Sequence, residues 1–198
     1  KNTSYGNSII NSAAQGGYLE IIKYLISKGA IPNTATFVYA AENGYLNVLE
    51  YLYNVMYDIE NVDILNKALN DAASGGHLNV IKYLLEKGAD IHYKNGIVFN
   101  NASENGHLEI VKYLVANGLR NYNSAILEAS FNGQLEIIKY LVSLGGDIMS
   151  NFDVMLNVAI MSGYFEVVKY LLNCSGISEL SIDNAYIIEP ISSRLSNS

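Results

Sequence analysis

The sequence is poor in several kinds of residue, and each shortage excludes a class of protein. A single cysteine, Cys174, among 198 residues rules out an internal disulfide framework and fits a reducing compartment. The 12 basic residues against 19 acidic ones give a net charge of −7, which argues against nucleic acid as a partner. No run of 18 apolar residues is present, so we expect no membrane span and no membrane partner.

The start of the chain has neither an initiator methionine nor an apolar signal segment. We therefore expect it to be cropped from a longer chain, with any targeting signal upstream, and we expect the protein to be cytoplasmic. Half of the residues are hydrophobic and 16% are charged, which is too apolar for a disordered chain and sufficient for a sizeable core.

A nine-residue segment occurs six times, which indicates a repeat protein. Each copy opens with Gly, continues with an aromatic residue, His or Gln, and ends with Tyr-Leu. The spacing from one opening glycine to the next is 27 to 32 residues. These repeat glycines are Gly17, Gly44, Gly76, Gly106, Gly133 and Gly163.

The repeated segment is predicted to form an amphipathic helix, the second helix of each repeat. In the fourth copy the apolar residues cover an arc of about 160°, and Glu109 and Lys112 lie opposite, where they can pair. The core is expected to contain Leu84, Leu114 and Leu141. Four copies end in a glycine expected to be left-handed, at Gly29, Gly88, Gly118 and Gly145. The second copy lacks one, so its exit should be irregular.

A first helix, predicted to be shorter, precedes each repeat glycine. It is marked by small residues near its end, which let helices approach closely, and by a bulkier apolar residue three or four positions earlier. The bulkier residues are Ile10, Phe37, Leu69, Phe99, Ile126 and Leu156. One such helix pair cannot bury its apolar face alone, so the repeats must stack.

These patterns predict an all-α solenoid in residues 1–176, followed by a C-terminal helical cap in residues 177–198. The predicted repeats span about 1–30, 31–60, 61–90, 91–119, 120–147 and 148–176. In the cap, Pro190 cannot continue a helix. The residues expected to dock on the sixth repeat are Ile182, Ala185, Tyr186 and Ile188.

The repeat resembles the ankyrin family over about residues 5 to 176. The Ala-Ala-Glu-Asn-Gly-Tyr-Leu of residues 40–46 resembles the family's A-A-x-x-G-H-L, and the Gly-Ala-Asp-Ile of residues 88–91 is similar to its G-A-D-V. The family's T-P-L-H opening is missing, and its period of about 33 is shortened. The resemblance therefore implies an ankyrin-type helix-turn-helix solenoid with shortened or absent β-hairpin fingers.

The composition also resembles, in style, the ankyrin proteins of giant amoeba viruses or of amoebae, because Asn, Ile, Lys and Tyr are frequent and Arg is scarce. This resemblance implies a viral protein that acts in the host cytoplasm, in a host–virus interaction.

Candidate chemistry is sparse. His77 and His107 share a repeat position, and they form either a metal pair or imidazoles that stabilise the turn. Neighbouring repeats stack about 8–10 Å apart, whereas zinc requires nitrogens about 2 Å away, and no third His or Cys falls in register. Cys174 has no paired base, and the nucleotide-binding and hydrolase motifs are absent. We predict no catalytic residue, no cofactor, no metal site and no small-molecule substrate.

Six tyrosines recur on the second helices and form a ladder. One interpretation is aromatic packing between repeats with each hydroxyl in water, and the other is an aromatic binding strip on the convex face. The tyrosine ladder comprises Tyr24, Tyr51, Tyr83, Tyr113, Tyr140 and Tyr170.

The charges differ between the two kinds of helix. Most basic residues lie on the second helices or their exits, whereas the last turns of four first helices carry a carboxylate and no Lys or Arg. Because the ankyrin resemblance implies that first helices line the concave surface, we hypothesise an acidic groove with an apolar end. The alternative is a solvated face of an acidic protein. The candidate partner-binding residues are Tyr39, Glu42, Asp71, Asn101, Glu104, Glu128, Phe131, Val158 and Met161.

The resemblance implies a non-catalytic scaffold for protein–protein interaction. We predict a monomer that binds another protein, with a basic segment as the ligand, through the concave face. The alternatives are a substrate adaptor for a host ubiquitin ligase and a purely structural array. An enzyme would need convergent reactive groups, which carboxylates spaced one per repeat do not supply.

Overall fold

The computed structural model describes residues 3–56 and 61–176, and this part of the chain consists of helices without a β-strand. First and second helices alternate, as predicted, and the absence of strands here confirms that hairpin fingers are missing. One short 3₁₀ turn, Met149–Asn151, precedes the last first helix. The helices are α1 (Thr3–Gln15), α2 (Leu19–Ser27), α3 (Thr34–Glu42), α4 (Leu46–Val55), α5 (Val62–Gly75), α6 (Leu78–Glu86), α7 (Tyr93–Glu104), α8 (Leu108–Ala116), α9 (Tyr122–Phe131), α10 (Leu135–Ser143), α11 (Phe152–Met161) and α12 (Phe165–Ser175).

The first helices are not the shorter ones, so that prediction is wrong. They contain 9 to 14 residues, against 9 to 11 in the second helices. Polar stretches that look like loop are helical because side chains cap them. The Asn33 side chain accepts a hydrogen bond from the Thr36 backbone N–H at 3.1 Å, and Asn61 does the same for Asp63 at 2.9 Å.

Each helix pair packs against its neighbours in the chain. Neighbouring first helices contact each other directly, whereas neighbouring second helices make few contacts. Small residues such as Ala40, Ala72 and Ala102 are completely buried and permit this close approach. Because the stack bends toward the more closely spaced row, the first helices line its concave side.

The predicted apolar arc of the second helices is confirmed. Leu84, Leu114 and Leu141 are fully buried, and Glu109 and Lys112 are exposed and joined at 2.7 Å. The same pair recurs between Glu20 and Lys23 and between Glu136 and Lys139. The second helices therefore place their charges outward and their apolar residues between repeats.

Each repeat glycine contacts a side chain of the next repeat. The six repeat glycines have φ between +70° and +84°. In five of them the residue after the next repeat glycine lies so close that no Cβ would fit. These contacts are Tyr45 on Gly17, His77 on Gly44, His107 on Gly76, Gln134 on Gly106 and Tyr164 on Gly133.

Two of these side chains also bond to the end of the preceding first helix. The His107 Nε2 atom lies 2.9 Å from the Ser74 carbonyl oxygen, and the Gln134 side chain donates to the Glu104 carbonyl at 3.3 Å. This position therefore joins neighbouring repeats, and at His107 the structure supports the interpretation of an imidazole that stabilises the turn.

The loops between repeats are held by side chains of first helices. The Asn66 side chain accepts from the Asp90 backbone N–H at 2.7 Å, and Asn123 accepts from Asp147 at 2.8 Å. The predicted left-handed glycines are confirmed, with φ of +91° to +103° at Gly29, Gly88, Gly118 and Gly145. The cap in residues 177–198 lies outside the described residues, and the boundaries drawn between repeats stay a prediction.

Three consecutive left-handed residues were not anticipated from the sequence. Lys94, Asn95 and Gly96 have φ of +47°, +60° and +74° and interrupt the start of α7. The Asn121 side chain of the next repeat donates to the Asn95 carbonyl at 3.1 Å, and Gly96 is buried. This conformation is therefore supported by a contact from a distant part of the sequence.

Replacing Gly76 with Ala is expected to destabilise the protein more than replacing Gly88. Both glycines have positive φ, +84° and +97°, so each Ala carries about 1–2 kcal/mol of left-handed strain. A Cβ on Gly76 would also lie 2.7 Å from His107 Cε1, whereas nothing lies within 4 Å of one on Gly88. We expect Gly76→Ala to cost roughly 1–3 kcal/mol more in urea unfolding. Equal losses would show that the ring contact does not hold the repeats together.

Replacing Leu114 with Ala is expected to cost about 2–5 kcal/mol, because it leaves a cavity in the core. Lys112→Ala should stay within about 0.5 kcal/mol, because its pair with Glu109 is solvent-exposed. Urea unfolding of the two variants measures both values. Similar losses would mean that the helix faces are assigned incorrectly.

Candidate functional site

All nine candidate residues lie on the solvent side of the first helices, in their C-terminal halves. They form two neighbouring stripes, one helical turn apart, that together we call the inner face. The stripe five positions before each repeat glycine is half-buried and consists of Tyr39, Asp71, Asn101, Glu128 and Val158. The stripe two positions before it is more open and consists of Glu42, Glu104, Phe131 and Met161.

The carboxylates of the inner face interact as two pairs formed between neighbouring repeats. Burial raises the pKa of Glu128, and the charge of Glu104 raises it further. Burial also raises the pKa of Asp71, and Glu42 adds to that increase. The predicted row of carboxylates is thus organised as an α3–α5 pair and an α7–α9 pair.

One sequence expectation about this row needs correction. The row was expected to contain no interleaved lysine, but Lys67 on α5 acts on Asp71 and lowers its pKa against the raising effects of burial and Glu42. The sequence argument considered the last helical turn alone, whereas Lys67 lies one turn earlier. A spacing of four residues on a helix would have revealed it.

The acidic residues of the inner face lie where a helix disfavours them. Glu42 and Glu104 are the last residues of α3 and α7. The helix dipole makes a carboxylate at this end unfavourable by about 0.3–1 kcal/mol. On the second helices Glu20, Glu109 and Glu136 instead occupy first turns and pair with lysine. Within residues 3–56 and 61–176 no salt bridge joins Glu42 or Glu104 to a basic residue.

The apolar end of the inner face lies in the last two repeats. Phe131 and Val158 are half-buried, and Met161 is 86% exposed. An exposed methionine next to an aromatic ring is an adaptable apolar contact surface. The inner face therefore combines two acidic pairs with an apolar terminus.

The tyrosine ladder takes part in packing between repeats. Five of its six members are partly buried against the core, and Tyr24 is 61% exposed. Lysines of one repeat lie over tyrosines of the next, with Lys23 Nζ at 5.8 Å from the Tyr51 ring centre and Lys82 Nζ at 5.4 Å from that of Tyr113. These contacts support the packing interpretation. The sequence analysis had assigned the lysines to a solvated face and missed them.

The described residues offer little for catalysis or metal binding. No group of three or more His, Cys, Asp or Glu within them is arranged to hold a metal ion. One open cleft of about 260 Å³ lies between the loops of the fourth and fifth repeats, lined by His92, Asn95, Gly118, Leu119, Arg120 and Asn121. Its Arg120 guanidinium donates to the carbonyls of Val115 and Leu119, so it stabilises the end of α8. Among the described helices, none is long and apolar enough to span a bilayer.

The comparisons with known proteins agree with this architecture. A family model described as ankyrin repeats, in three copies, matches residues 10–95 and 99–183. The crystal structure of the human ASB11 ankyrin repeat domain is similar, with a TM-score of 0.63 and 22% identity over 85% of this chain and 84% of that chain. At this identity the likeness shows the fold alone. No curated protein matches the sequence, and the resemblance to viral or amoebal proteins stays a prediction.

Replacing Glu128 with Gln is expected to stabilise the protein at pH 7 but not at pH 3. Because the folded state raises the pKa of Glu128, its contribution is most favourable below the unfolded pKa and is lost as the pH rises. Removing the charge should gain a few tenths of a kcal/mol at pH 7, since the site is partly solvated. Urea unfolding at both pH values measures the gain. The control, Glu109→Gln, removes a paired charge and should not stabilise. An equal gain at both pH values for Glu128→Gln would contradict the repulsion between Glu104 and Glu128.

Proposed function

The chain belongs to the ankyrin repeat family, and from this premise we propose that it is a non-catalytic scaffold that binds a basic segment of another protein on its inner face. Ankyrin repeats generally mediate protein–protein interaction, which is the coarse function. The basic ligand and the inner face are the specific parts of the proposal.

The placement of Glu42 and Glu104 carries the proposal. Both end a helix where the dipole opposes a negative charge, and each repels a carboxylate of the next repeat. Such local conflicts are expected at functional sites, where the cost is offset when a ligand binds. A cationic side chain between the members of a pair would remove the repulsion and supply the missing counterion.

The geometry also suggests the spacing of charges in the ligand. The two acidic pairs are two repeats apart, or about 16–20 Å at ordinary helix spacing. This distance corresponds to about 11–13 residues of an α-helix or about five or six residues of an extended segment. An apolar residue beyond the second cation would meet Phe131 and Met161.

Several narrower predictions belong to this proposal without further support. They are the cytoplasmic location, the viral context, the monomeric state, and the absence of other partners. The alternative roles, a substrate adaptor for a host ubiquitin ligase or a structural array, likewise gain nothing from the described residues. Light scattering of the purified chain tests the monomer.

A peptide selection tests the ligand class. The immobilised chain selects from a displayed random library of peptides of about 20 residues, long enough to span both pairs as a helix. We expect enrichment of peptides with two cations at the spacing derived above and an apolar residue at one end. Their affinity should fall with salt, because exposed charges are screened beyond about 8 Å at physiological ionic strength. Enrichment of neutral or acidic peptides would refute the proposal.

Charge reversal then identifies the face. The double variant Glu104→Lys and Glu128→Lys should weaken a selected peptide at least about tenfold, or about 1.4 kcal/mol, and should slow its association. The matched control, Glu109→Lys and Glu136→Lys, makes the same change of charge on the second helices and should leave affinity within about twofold. Thermal unfolding confirms that both variants fold. If the control is the sensitive variant, the convex face with its tyrosine ladder binds the ligand.

A further inference from the structure

The sixth repeat exposes apolar positions that the other five repeats bury. The residue seven positions before the repeat glycine is at most 1% exposed in repeats one to five, but Leu156 is half-buried. The residue three positions before it is completely buried in those repeats, but Ile160 is 39% exposed. Both positions of the first helix are therefore uncovered in the last repeat.

The second helix of the sixth repeat shows the same change. Phe165 is 70% exposed, whereas the leucines at its position in other repeats are half-buried. Val168 is half-buried, whereas its counterparts, such as Ile81 and Val111, are buried. Together Leu156, Ile160, Phe165 and Val168 form what we call the terminal face.

The first repeat shows which direction this face points. Its Ile9 and Ile21 are each 49% exposed, whereas the residues at their positions are buried in every later repeat. These positions are covered by a preceding repeat. Because the terminal face uses the other set of positions, it is the surface that would be covered by a following repeat.

The sequence after Gly176 keeps the register of a first helix. Tyr186 follows Tyr170 by 16 residues, the same interval that separates Phe99 from Tyr83 and Leu156 from Tyr140. The residue before it is Ala185, as Ala68 and Ala125 precede their bulky residues. The family match also continues past Gly176, to residue 183. The register is lost at residues 189 and 190, where Glu and Pro replace the two small residues that close packing of another helix requires.

We propose that residues 182–188 dock on the terminal face as a partial seventh first helix, with Tyr186 in the register position of Phe99. This segment covers Leu156 and Ile160 and turns Glu189 and Pro190 outward, so that it ends the stack. A solenoid requires such a cap because its last repeat otherwise exposes apolar surface.

Photocrosslinking in the full chain tests the occupant. The photoreactive residue p-benzoylphenylalanine replaces Phe165, and in a control protein it replaces Tyr24, which is also exposed but lies in the first repeat. We expect crosslinks within one chain from position 165 to residues 182–188, identified by mass spectrometry, and none from position 24 to that segment. Crosslinks between two copies would assign the terminal face to a second chain and overturn the proposal. A lack of crosslinks to residues 182–188 would overturn it as well.

Amide exchange of full-chain variants tests the energetic role. Tyr186→Asp should speed exchange in α11 and α12 by roughly tenfold or more and leave α5 and α6 unchanged, because stability in a repeat array is local. The control Ser196→Asp makes the same charge change outside the docking segment and should leave all helices unchanged. Exchange that is unaltered by Tyr186→Asp, or that rises equally in α5 and α12, would contradict docking on the sixth repeat.

Discussion

The architecture depends on the contact between each repeat glycine and the side chain that follows the next one. The glycine adopts a left-handed turn and leaves bare backbone, and the ring or amide of the next repeat fills the place of its missing Cβ. A side chain on either glycine of such a contact would push the repeats apart. Because the contact recurs in each of the first five repeats, it sets the distance at which successive first helices stack. The hydrogen bonds of His107 and Gln134 to the preceding helix end make the same junction directional.

This close stacking also creates the inner face. Small buried residues such as Ala72 and Ser103 occupy one side of each first helix, so the neighbouring backbones come close. Residues on the other side, including Glu104 and Glu128, are then brought near enough to repel each other although they are 24 residues apart in sequence. On the second helices, which are more widely spaced, charges are paired within the helix. The two rows of helices therefore have different electrostatic character for a geometric reason.

Much of this fold could be predicted from the sequence, because the strongest signals are local and recur in phase. The apolar arc around Leu114 and the left-handed glycine at Gly118 each follow from a few neighbouring residues. The features that could not be predicted depend on partners far along the chain. The left-handed turn at Asn95 is supported by Asn121, and the length of α3 depends on the cap made by Asn33 rather than on an apolar pattern. The nine candidate residues do share one surface, but their grouping into two pairs required the relative placement of successive helices.

The two acidic pairs are not equivalent, and their difference bears on how a basic ligand would engage. Lys67 partly compensates Asp71, so the pair with Glu42 already has a cation beside it. Both influences on Glu128, burial and the charge of Glu104, raise its pKa, so the second pair gains more from an external cation. The second pair is also adjacent to Phe131, where apolar contact would add to the attraction. In the proposed binding mode the ligand should therefore anchor first at Glu104 and Glu128, and the contact with Glu42 and Asp71 should set its orientation along the concave face.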